Sequence, residues 1–136
     1  MDALRPLITA ALAARQNAYA PYSRFLVGAA VLADGAIFAG SNVENAAYPQ
    51  GQCAEASAIG AMVTAGKRTL SCVVVVGTGE ALCTPCGGCR QRLREFGAPD
   101  LPIHLVGEDG ALRRTVTLAD LLPLSFGPDN LGLNHD

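Results

Sequence analysis

Residues 72–77 read Cys72-Val73-Val74-Val75-Val76-Gly77, and this run decides the fold. Four consecutive β-branched side chains suit an extended chain better than a helix. They alternate sides, so both faces of the strand are apolar and both need cover. Upstream, Ala54 to Ala65 is Ala-rich, with Gly60 its one interior glycine and no proline, and Gly66 follows as a stop; this is a helix. Downstream, Thr84-Pro85 leads into a helix from Cys86 to about Phe96, and Ile103 to Val106 is the next strand. Strands and helices alternate, which predicts an α/β domain: a mixed sheet covered by helices. Working outward, a first helix covers about Asp2 to Ala18, and Pro21, Tyr22 and Ser23 turn the chain. Val27 to Leu32 and Ile37 to Ser41 are paired strands joined at Asp34-Gly35. After the turn at Asp109-Gly110 come a short strand near Arg113 to Val116 and a short helix, Leu118 to Leu122. Beyond Pro123 the tail reads as irregular. No composition shift marks a linker, so residues 1–136 are expected to form a single domain.

Half of the 136 residues are hydrophobic and 16% are charged. That is apolar for a small monomer, and burial between subunits would absorb the excess, so a homo-oligomer is expected. The net charge of −2 argues against nucleic acid as a partner, because phosphate neutralisation needs a basic face. Leu7 to Ala14 could be taken for a short signal peptide. However, Arg15, Gln16 and Asn17 follow at once, and Leu4, Leu7, Ile8, Ala11 and Leu12 fall at helical spacing, so an amphipathic helix is the better reading. No stretch is long enough to span a membrane, and the expected compartment is the cytoplasm. There are five cysteines, Cys53, Cys72, Cys83, Cys86 and Cys89. An odd number in such a chain points to metal or redox chemistry rather than a disulfide framework.

The chemistry concentrates in Cys53-Ala54-Glu55 and Pro85-Cys86-Gly87-Gly88-Cys89. Two thiols three apart at a helix start can face one ion, and the helix N-terminus favours the thiolates that zinc needs. A third thiol from another helix start makes a three-ligand site, leaving the fourth tetrahedral position for water. Glu55 is too close to Cys53 to ligate comfortably beside it, but it can exchange protons with that water. A metal ligand, any residue and Glu, followed by Pro-Cys-x-x-Cys, is the pattern of zinc-dependent deaminases. Two other readings compete. Cys83 and Cys86 could be a redox pair, or Cys83 or Cys72 could complete a structural four-cysteine zinc site. Cys72, opening a buried strand, is better read as a core residue.

Along nearly its whole length the chain resembles the small homotetrameric cytidine deaminases. The matching segments are Ala20-Pro21-Tyr22-Ser23-x-Phe25-x-Val27-Gly28-Ala29-Ala30, Asn42-Val43-Glu44-Asn45-Ala46-Ala47-Tyr48, Cys53-Ala54-Glu55, Pro85-Cys86-Gly87-x-Cys89-Arg90-Gln91, and Leu121-Leu122-Pro123-x-x-Phe126-Gly127-Pro128. The resemblance implies a three-layer α/β/α fold with a five-stranded mixed sheet. It implies one Zn²⁺ per chain on Cys53, Cys86 and Cys89, with Glu55 as the proton shuttle. Asn42 and Glu44 would hold the ribose 3′-hydroxyl, Phe25 would pack on ribose and base, and Ala54 would also meet the substrate. Tyr48 and Phe126 would complete a neighbouring subunit's pocket, making the homotetramer necessary for the site. Glu55 would take a proton from the activated water, deliver it to N3 of the pyrimidine so that C4 opens to attack, and then protonate departing ammonia. The helix N-termini near Ala54 and Cys86 would stabilise thiolates and the developing oxyanion.

The chain departs from the resemblance at one place. Relatives with three thiolates usually carry an arginine directly after the glutamate, and here that residue is Ala56. Arg90, next to Cys89, is the nearest candidate in sequence to supply the missing positive charge, with Gln52 and Gln91 as possible hydrogen-bond donors to sulfur. Two other functions remain in view. One is deamination of a cytosine-containing antibiotic nucleoside, as in the blasticidin S deaminases, although Asn42-Val43-Glu44-Asn45 favours ordinary nucleosides. The other is a non-catalytic zinc-binding module, against which Glu55 argues. His104 and His135 match no motif and are read as structural.

Overall fold

Val73 and Val75 point to one face of the central strand and Val74 and Val76 to the other, and all four are fully buried. The computed structural model describes residues 2–133, so His135 lies outside the described residues. After a 3-10 turn at Asp2–Leu4 come α1 (Arg5–Gln16), β1 (Gly28–Ala33), β2 (Ala36–Ser41), α2 (Ala54–Thr64), β3 (Leu70–Val76), α3 (Gly87–Phe96), β4 (Pro102–Val106), β5 (Leu112–Thr117) and α4 (Leu118–Leu121). The sheet order is β2-β1-β3-β4-β5. Only β3 and β4 run parallel; the other neighbours are antiparallel. The expected five-stranded mixed sheet is therefore present, and its elements start or stop within a few residues of the expected bounds. In the tail, a 3-10 turn at Pro128–Leu131 adds order where the sequence suggested none.

Each face of the sheet has its own core. On one, Leu7, Ile8 and Ala11 of α1 pack against Ala30, Cys72, Val74, Val76 and Val106. These helical residues belong to the predicted apolar stripe, and Cys72 is the core residue its place in the strand suggested. On the other, Ala58, Ile59 and Met62 of α2, Leu93 of α3 and Leu118 of α4 pack against Val31, Val73, Val75, Ile103 and Leu105. The result is three layers. Asp34 and Gly35 both take positive φ, at 50° and 80°, which matches the twist of the β1–β2 hairpin. No described helix is long and apolar enough to cross a membrane.

Close approach of α2 to the sheet depends on Gly40 of β2. A Cβ there would stand 2.5 Å from the Ala58 nitrogen and 2.7 Å from the Ala54 carbonyl oxygen. Both obstacles are backbone and cannot rotate away. Gly40→Ala should therefore push the start of α2 outward and destabilise the protein by about 1–3 kcal/mol. It should also lower metal content, because Cys53 moves with α2. Urea unfolding and zinc analysis of the purified variant check this; an unchanged midpoint together with full zinc content would refute it.

Candidate metal centre and active site

Cys53 and Cys86 occupy equivalent positions, each the residue before a helix. Both are extended, at φ −74°, ψ 156° and φ −65°, ψ 168°. Neither helix start has a side-chain cap, so its first N–H groups are not spent on one and the positive ends of both dipoles lie beside the cysteines. Cys89, one turn into α3, is fully buried. The sulfurs of Cys53, Cys86 and Cys89 all lie within 4.8 Å of one another, and those of Cys53 and Cys86 are 3.6 Å apart. Zn–S bonds of about 2.3 Å at tetrahedral angles place two sulfurs about 3.8 Å apart. The cluster fits zinc.

The charges of the cluster also call for a cation. A hydrogen bond from Cys89, and a weaker one from Cys86, lower the Cys53 thiol to about 6, while the same contact and burial push Cys89 up. Adjacent thiolates repel, so the three sulfurs favour a cation between them. Glu55, in the first turn of α2, is 4% exposed. Burial pushes its carboxyl up to about 7, with the charge on Cys53 adding to the effect. A carboxyl that gains and loses a proton near neutrality suits a shuttle.

Cys83 lies outside this cluster. It packs against Gly77 at the end of β3, and burial pushes its thiol up to about 11. A redox pair with Cys83 would take Cys86 out of the three-sulfur cluster, and neither Cys83 nor Cys72 is among the sulfurs that lie within 4.8 Å of one another. Neither competing cysteine reading fits this arrangement.

The proposed sugar contacts are tied into the scaffold. Asn42 accepts from the Val27 N–H at 2.9 Å and donates to the Phe25 carbonyl at 2.8 Å. Its amide therefore sets the backbone on both sides of Leu26. Glu44 Oε1 accepts from the N–H groups of Tyr22 and Ser23, and Oε2 accepts from the Ser23 hydroxyl. The Ser23 hydroxyl and N–H hold the Glu44 carboxyl below its ordinary range. Valences remain for a ligand on both side chains: the second amide hydrogen and one Oδ1 lone pair of Asn42, and a lone pair on Glu44 Oε2. Glu44 and Tyr48 line one depression of about 380 Å³, together with Tyr22, Ser23, Asn45 and Gly51. Ala54 is fully buried, so what it can offer a substrate is its backbone. The ring of Phe25 comes close to Gly77, beside Cys83.

Tyr48 and Phe126 are 80% and 57% exposed, yet the backbone around Phe126 is held firmly. Gln91 donates to the Phe126 carbonyl at 2.9 Å. Arg94, 7% exposed, donates to Ser125 Oγ at 2.8 Å and pairs with Asp129 at 2.6 Å. Gly127 presses so closely on that guanidinium that a methyl group there would collide with it.

The expected charge partner is corrected. Arg90 turns away from the sulfurs. It donates to the Pro85 and Leu121 carbonyls at 2.7 and 2.8 Å and to Thr84 Oγ1 at 3.3 Å, clamping the ligand loop to α4. Consecutive helical residues point about 100° apart, whereas residues three apart share a face. Arg92, three after Cys89, is the arginine whose Nη1 meets Cys89 Sγ, at 3.7 Å. The glutamines also donate elsewhere, Gln52 to Ser57 Oγ and Gln91 to Phe126. His104 pairs with Thr115 across β4 and β5. Arg15, which matches no motif, is buried. It binds the Gly77 carbonyl, Thr78 Oγ1 and Glu108 at 2.9–3.0 Å, and Thr78 in turn bonds both backbone groups of Leu26.

A family profile described as "Cytidine and deoxycytidylate deaminase zinc-binding region" matches residues 1–105. The cytidine deaminase of Sporosarcina psychrophila is 43% identical over 126 residues, covering 92% of both chains. That of Mycobacterium tuberculosis is 46% identical over 121 residues, covering 87% of this chain and 85% of its own. The crystal structure of cytidine deaminase from Burkholderia pseudomallei superposes with a TM-score of 0.82 at 45% identity, covering 89% of this chain and 97% of that one. With a three-thiol metal centre at two helix starts and a buried carboxyl beside it, the chain belongs to the cytidine and deoxycytidylate deaminase family.

Proposed function

We infer that this chain is a zinc-dependent hydrolytic deaminase that converts free cytidine and deoxycytidine to uridine and deoxyuridine with release of ammonia, in pyrimidine salvage. The observation that carries the reading is the buried, protonatable Glu55 beside the Cys53–Cys86–Cys89 cluster. A purely structural zinc site gains nothing from such a group, whereas hydrolysis of an aminopyrimidine needs one. Cys53, Cys86 and Cys89 would hold the zinc, which would supply the Lewis acidity that makes water a nucleophile near neutral pH. Glu55 carries the water's proton to N3, which draws electrons from C4 as the water oxygen attacks, and later carries a proton to the departing ammonia. The N–H groups of the α2 and α3 starts favour the negative charge that develops. Reduced thiols as ligands suit a reducing compartment, the cytoplasm.

Asn42 and Glu44 are proposed to read the ribose 3′-hydroxyl with the valences their scaffold bonds leave open. Phe25 would support the sugar and base. Tyr48 and Phe126 are proposed to close the pocket of a neighbouring subunit in a homotetramer. Two exposed aromatic rings, one on a tail strapped to α3, support this, because an aromatic held outward gains energy only when something covers it.

Three measurements test these statements. Ultraviolet absorbance of cytidine incubated with the zinc-loaded protein should show loss of the 4-amino group. Glu55→Gln should slow it by about 10²–10⁴-fold or more with zinc still near one per chain; a fully active variant would remove Glu55 from the mechanism. Cytidine and deoxycytidine should have specificity constants within about tenfold, and 3′-deoxycytidine should be much poorer because it leaves a polar pair unfilled. Equal turnover of the 3′-deoxy analogue would refute the roles of Asn42 and Glu44. Light scattering should report a tetramer, and Phe126→Ala should raise KM even where the tetramer persists; a fully active monomer would contradict the shared pocket.

A further inference from the structure

The geometry points to Arg92 as the residue that balances the charge of the three-thiolate centre. This inference rests on the zinc reading above and adds a positioning residue to it. Zinc with three thiolates carries one net negative charge; the adjacent thiolates repel one another and their electron density lowers the ion's Lewis acidity, unless a neighbouring cation or hydrogen bonds offset that charge. Position 56, beside Glu55, is an alanine and offers no such bond.

Arg92 can offer one for three reasons. It lies three residues beyond Cys89 on α3, so the two side chains share a face, and Nη1 reaches to 3.7 Å from Sγ. The path of that reach crosses Gly88, where a Cβ would stand 3.2 Å from Nη1; the bare glycine keeps the way open. The other arginines near α3 are committed, Arg90 to carbonyls of the ligand loop and α4 and Arg94 to Ser125 and Asp129.

The test uses the full chain, zinc-loaded and cobalt-substituted, with Arg92→Gln and Arg92→Lys beside the parent. Zinc loss is followed as colour development with the chelator pyridylazoresorcinol. The near-ultraviolet sulfur-to-cobalt charge-transfer band reports electron density on the thiolates directly. Arg92→Gln should bind zinc about 10-fold less tightly or worse and shift the band to longer wavelength. Arg92→Lys, which keeps the positive charge, should fall between Gln and the parent on both readouts. Arg92→Gln with parental zinc retention and an unmoved band would overturn the inference. So would a Lys variant as impaired as Gln, since charge would then not be the agent. In either case a parent that holds one zinc per chain leaves the metal reading standing. A parent that takes up no zinc would overturn both.

Discussion

Two helices must begin at the same point in space for this molecule to have a site at all. The 3.6 Å between the sulfurs of Cys53 and Cys86 is a contact between residues 33 positions apart, and neither helix start could fix it alone. α2 is set by its packing on β1 and β2, with Gly40 allowing backbone to approach backbone. α3 is set by Leu93 in the same core and by Arg90, which ties the loop before it to α4. The sheet gives both helices a common floor. Using cysteine where serine, threonine or aspartate would cap better sacrifices some helix stability, and the sacrifice leaves two sets of N–H groups beside the sulfurs.

Much of this was legible in the residues. Val73–Val76 announces a strand covered on both sides because four β-branched residues have few alternatives. Asp34-Gly35 announces a tight hairpin because both positions need positive φ. The cysteine spacing pointed to a metal centre because three thiols with an adjacent carboxylate have few other uses. These are local constraints, and local constraints can be read from a sequence.

What could not be read depends on partners far along the chain. Arg15 follows an apolar helical run and looks like its solvated end. Its burial is made possible by Gly77 and Glu108, 62 and 93 residues away. Arg94 likewise sits in the last turn of a helix, where a positive charge is expected at the surface, and is buried because Ser125 and Asp129 return to meet it. Arg90 is the arginine nearest to Cys89 along the chain, but the helix turns neighbours apart and brings the third residue round. The signal for Arg92 was present in the sequence as that spacing, and helical geometry applied to Cys89 would have found it.

The strap between α3 and the tail makes one rigid lever of parts that seem separate. Cys89 sits near one end of α3, Gln91 just beyond it, and Arg94 one turn further on, gripping residues 125–129. Residues 125–129 are thus no free appendage that can be trimmed or grafted at will. A truncation before Asp129 would strip a buried guanidinium of its anion, an arrangement more costly than never having paired them. Tail length in a protein built this way is constrained from within, by the helix that bears the metal ligands, before any neighbouring subunit is considered.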